Sequence, residues 1–186
     1  MRLALTLAAA SLLAAPAFAA ETVSVGHFDQ VQLRGGGHVV VRYGATQSVT
    51  LRKGSTQFTR FHITDGRQLD IDACNDSCPR DYDLDIEIVT PDFRGAAIEG
   101  GGELVAEGDF PTRDKFAAAV DGGGDLDVRA ASATTVAAAV NGGGDIEVTA
   151  LKQLSAAVNG GGDITYHGDP QVTEAVRGGG EVERAR

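Results

Sequence analysis

The chain has 186 residues, with 26 acidic against 16 basic side chains, a formal charge of −10, two cysteines and no tryptophan. That length suits one domain with a continuous core and leaves little room for a multidomain enzyme. The negative balance excludes phosphate backbones and anionic lipid surfaces, which need a basic footprint that the scattered arginines do not form.

Residues 1–19 open with Arg2, continue through an apolar run from Leu3 to Ala15 and close on Ala17-Phe18-Ala19. A charge, a short apolar run and a small-residue site are the three regions of a secretory signal, so cleavage after Ala19 and export to the periplasm or cell surface are expected. The run is too short for a membrane anchor, and no other segment is apolar enough to span a bilayer.

Residues 20–95 hold strand-like runs at Thr22–Phe28, His38–Tyr43, Ser48–Arg52, Phe58–Ile63, Leu69–Ala73 and Tyr82–Val89, most of them alternating apolar with polar residues. Asp65-Gly66 and Gly44 mark turns between them, and Pro91 ends the last. Between two of these runs stand Cys74 and Cys78, which in an oxidising compartment are expected to form a disulfide.

Residues 96–186 repeat. Triple glycines begin at Gly100, Gly122, Gly142, Gly160 and Gly178, with an earlier one at Gly35, and a period near twenty signals stacked coils. Ala119-Val120-Asp121, Ala139-Val140-Asn141 and Ala157-Val158-Asn159 precede the glycines. Asp125-Leu126-Asp127, Asp145-Ile146-Glu147 and Asp163-Ile164-Thr165 follow them. The alternation predicts one inward column of Leu104, Leu126, Ile146, Ile164 and Val182, and another of Ile98, Val120, Val140, Val158 and Val176. A phosphate loop is excluded because each glycine run leads into a strand rather than a helix. The expected architecture is all-β: a single-stranded right-handed parallel β-helix over 96–186, with the strands of 20–95 packed on one end as a cap.

The order of Phe28-Asp29-Gln30-Val31, His38-Val39-Val40-Val41, Asp65-Gly66-Arg67, Val89-Thr90-Pro91 and the glycine coils resembles the bacterial family described as putative auto-transporter adhesin, head GIN domain. The resemblance implies a right-handed β-helix-like fold and an envelope or surface setting, with no established chemistry.

Among candidate sites, Asp125, Asp145 and Asp163 should form an outward carboxylate ladder with rungs about 4.8 Å apart. Solvation is the first reading of that ladder, and calcium held by its oxygens is the alternative. No catalytic residues are assigned, because the carboxylates lie in regular outward rows and His27, His38, His62 and His167 show no metal spacing. The expected function is a non-catalytic envelope module that binds a protein or glycan, with a calcium-stabilised domain and a glycan-active enzyme as alternatives. The last coil leaves an edge on which a second copy could stack, unless Arg184 and Arg186 guard it.

Overall fold

The computed structural model describes residues 20–186; the expected signal peptide lies outside them. Sixteen strands form one sheet, folded into a nearly closed barrel with two facing walls. The front wall takes β1 (Glu21–Val23), β3 (His38–Tyr43), β4 (Ser48–Lys53), β7 (Asp85–Thr90), β9 (Glu103–Glu107), β11 (Asp125–Asp127), β14 (Ile164–His167) and β16 (Val182–Arg184). The back wall takes β2 (Gln30–Gly35), β5 (Arg60–Thr64), β6 (Gln68–Asp72), β8 (Gly95–Gly100), β10 (Arg113–Gly122), β12 (Ala133–Gly142) and β15 (Gln171–Gly178). The long β13 (Asp145–Gly160) runs through both, pairing β11 and β14 in front and β12 and β15 behind.

Strand order corrects the expected fold. A parallel β-helix keeps its coils in chain order and carries its N-terminal strands on one end. Here β2 and β3 are inserted between β6 and β7 on one side and β8 and β9 on the other. Three pairs, β1 with β4, β4 with β7 and β5 with β6, are antiparallel. The result is a mixed, nearly closed barrel rather than a capped parallel solenoid. The physical reason is visible at the first triple glycine: Gly35 pairs in register with Gly100, and a Cβ on Gly100 would lie 3.2 Å from the Gly35 carbonyl oxygen. Backbones without side chains approach this closely only against each other, so the first coil matches the glycine coil at 100–102.

The inward columns read from the alternation are present. Leu104, Leu126, Ile146, Ile164 and Val182 are register partners on the front wall, as are Ile98, Val120, Val140, Val158 and Val176 behind. Leu33 and Val39 extend the two columns into the inserted coil. Except for Val176, which is exposed in the last coil, and Val182, which is half-buried, they form with Ala118, Ala138 and Ala156 one apolar core between the walls, narrow because its middle layer is alanine. Phe93 plugs its lower side, with ring centroids 5.6 Å from Phe110 and 5.2 Å from Phe116.

Candidate functional site

Because side chains alternate across a strand, every inward column has outward neighbours, and these give the two walls opposite characters. On the front wall one row contains Asp85, His38, Glu103, Asp125 and Asp145 in register. Asp163 and Glu181 continue it through hydrogen bonds: the Asp163 N–H donates to Asp145 Oδ1 at 2.9 Å, and the Glu181 N–H to Asp163 Oδ1 at 2.8 Å. The structure thus brings Asp125, Asp145 and Asp163 into one column, and two of them act as acceptors for the main chain of the next coil. Among the described residues, no three His, Cys, Asp or Glu side chains lie close enough together to hold a metal ion. Like charges along the wall are offset by Arg129, which lies 2.8 Å from Asp127 and 3.0 Å from Glu147, and by Arg42 on Glu107.

The turn glycines explain how the column is built. Gly142 has φ of 130°, and a Cβ there would sit 2.2 Å from the Gly122 carbonyl oxygen of the preceding coil. That carbonyl instead accepts the N–H of Gly143 at 2.8 Å. Gly100, Gly122, Gly160 and Gly178 occupy the same register position. Their role is to stack main chain on main chain.

Cys74 and Cys78 are joined, with Cα atoms 5.9 Å apart. The bridge closes the segment after β6, where the Asn75 N–H donates to the Phe58 carbonyl at 2.9 Å.

The back wall was not singled out by sequence. Its outward face carries two rows of small residues, Ala97-Ala119-Ala139-Ala157-Ala175 and Gly95-Ala117-Ala137-Ser155-Thr173, each in register across β8, β10, β12, β13 and β15. The available signal was the triplets Ala117-Ala118-Ala119 and Ala137-Ala138-Ala139: strand alternation buries the middle alanine and must leave its two neighbours outside. At the β6 side this floor meets a polar bank in which Asp70, 1% exposed, accepts from Thr64 Oγ1 and from Gln68 Nε2, each at 2.7 Å. Below it, a groove of ≈ 390 Å³ is lined by Gln30, Arg67, Arg94, Lys115, Ala117 and Ala137, among others. Asp29, nearly buried, pairs with Arg67 and lies 3.7 Å from Arg94. Its hydrogen bonds hold the Arg67 guanidinium above its ordinary pKa.

The middle members of both walls' columns, Val120, Val140 and Val158 behind and Leu126, Ile146 and Ile164 in front, come from one stretch of chain. Residues 111–170 match the family described as putative auto-transporter adhesin, head GIN domain. The resemblance read from the sequence is therefore borne out, and the head GIN segment runs from β10 to β14. A putative adhesin from Bacteroides fragilis NCTC 9343 shares the fold, at 18% identity over 89% of this chain and 96% of its own, with a TM-score of 0.56. A putative adhesin from Parabacteroides merdae ATCC 43184 aligns at 12% identity over 90% of this chain and 96% of its own, with a TM-score of 0.44. No curated protein matches. The head GIN segment supplies Asp125, Asp145 and Asp163 to the front wall and Lys115, Ala117, Ala119, Ala137, Ala139 and Ala157 to the back.

Proposed function

We propose that the chain is an exported, non-catalytic interaction module of the bacterial envelope, presenting its barrel walls as adhesive surfaces. The observation that carries this reading is the head GIN match over the repeat that builds both walls. Residues 1–19 support export through their signal-like pattern. No helix among the described residues is long and apolar enough to cross a membrane. The test is twofold. Cell fractionation with and without residues 1–19 should show periplasmic or surface material only when they are present. The purified chain should then be retained on isolated bacterial envelopes and released by excess free chain. Cytoplasmic retention with the leader intact, or no saturable binding to envelopes, overturns the reading.

A second copy stacking on the last coil is a further element of this proposal. Among the described residues β15 pairs only with β13, and its Val176, an inward-column residue, is 41% exposed. Sedimentation of the chain against a Val176→Lys variant tests it: a dimer lost in the variant is expected, and a monomer at all concentrations removes this element.

A further inference from the structure

The groove at the lower edge of the back wall differs in charge from the rest of the molecule. In a chain of formal charge −10, three cations, Arg67, Arg94 and Lys115, line one depression whose floor is Ala117 and Ala137. The nearly buried Asp29 pairs with Arg67 and lies 3.7 Å from Arg94, whose Nε donates to Asp92 Oδ2 at 3.0 Å, so each guanidinium group is held by a carboxylate. Lys115 is exposed, and no carboxylate among the described residues lies within ion-pair distance of it. A second depression of ≈ 190 Å³ shares Gln30 and Ala117 with the first and continues over Gly95, Ala97 and Ala119 past Gln68. The two together make a trough with a methyl floor, a bank of side-chain amides and a cationic end.

We propose that this trough binds an acidic saccharide, a short chain of hexuronate units. This rests on the interaction-module reading and names its ligand class. Charge complementarity calls for an anion at the Arg67, Arg94 and Lys115 end, where the exposed Lys115 ammonium stands without a carboxylate partner among the described residues, beside two guanidinium groups held by Asp29 and Asp92. An extended peptide cannot add here as a strand, because β2, β8, β10 and β12 are each paired on both edges. An alkyl chain is not enclosed, since Ala117 and Ala137 are exposed to solvent. A pyranose ring instead offers a flat C–H face to the alanine floor and hydroxyls to the Gln30 amide and to the Gln68 Oε1, whose Nε2 is already engaged with Gln32 and Asp70, while its carboxylate reaches the cations.

Calorimetric titration of the folded chain with trigalacturonate, maltotriose and inorganic sulfate tests this. The acidic trimer is expected to bind roughly tenfold or more tighter than either other probe, and to weaken as salt rises. Lys115→Gln should weaken it about fivefold. Ala137→Glu, which places a carboxylate on the floor, should abolish it with an unchanged Tm; should that variant fail to fold, Lys115→Gln decides. No binding of the trimer, equal binding of maltotriose, sulfate binding as tight as the trimer, or full affinity in Lys115→Gln overturns the proposal. Retention on envelopes without trimer binding removes the uronate ligand and leaves the interaction module standing; loss of both removes both.

Discussion

The main-chain N–H of Asp163 donates to Oδ1 of Asp145, one coil earlier, at 2.9 Å. The outward carboxylate is therefore a fastener between coils as well as a surface charge. Asp145→Ala removes the acceptor and should cost about 1 kcal/mol in urea unfolding, whereas Asp145→Asn keeps Oδ1 and should stay within about 0.5 kcal/mol of the parent. An equal loss in both variants would mean that charge, not the acceptor, matters.

Oδ1 of Asp145 and Oδ1 of Asp163 each accept a main-chain hydrogen bond, and among the described residues no three carboxylate, histidine or cysteine side chains are grouped closely enough to hold a metal ion. Thermal unfolding in millimolar calcium and in excess chelator, at fixed ionic strength, should give the same Tm. A site held at a hundred times its dissociation constant would add about 2.7 kcal/mol, a shift that could not be missed.

Gly142 and Gly143 are adjacent but not equivalent. A Cβ on Gly142 would meet the Gly122 carbonyl oxygen at 2.2 Å on a backbone with φ of 130°, while nothing lies within 4 Å of one on Gly143. Gly142→Ala is expected to cost about 3 kcal/mol or more, and Gly143→Ala less than about 0.5 kcal/mol. Comparable chemical-denaturation midpoints for the two variants would show that the stacked turns relax without cost.

Leu154 is 1% exposed and stands in register between Val136 and Val172. Truncation to alanine should cost about 2–5 kcal/mol, towards the upper end because the narrow alanine layer beside it cannot collapse into the space. A smaller loss, measured by urea midpoint, would indicate that the two walls close together.

The Cys74–Cys78 bridge spans only four residues of sequence, so it restrains little of the unfolded chain. Replacing both cysteines with alanine should cost no more than about 2 kcal/mol. The effect should stay local, in faster amide exchange at Asn75, whose N–H meets the Phe58 carbonyl.

The repeated half was legible because its information is local: glycine at fixed spacing sets the turns, and alternation assigns Val120 inward and Asp121 outward without knowledge of any partner. The N-terminal half was not, because alternation identifies a strand but is silent on its neighbour. Val31 and Leu33 look like any half-buried strand, yet they pair with Ala96 and Ile98, some 65 residues away. The triple glycine at 35–37 was the one pointer to that pairing, since it shares its register with Gly100. The groove was hidden for the same reason. Arg67, Arg94 and Lys115 are far apart in sequence and meet only because β2 is inserted beside β8.

That insertion separates the order in which the chain is synthesised from the order in which it can assemble. The β2–β3 coil emerges early but finds β6 and β7 only after residue 90, and β8 and β9 only after residue 107. The later coils need only the neighbour made just before them. Long-range pairing of this kind slows folding, so the first coil is expected to close after the later ones have stacked.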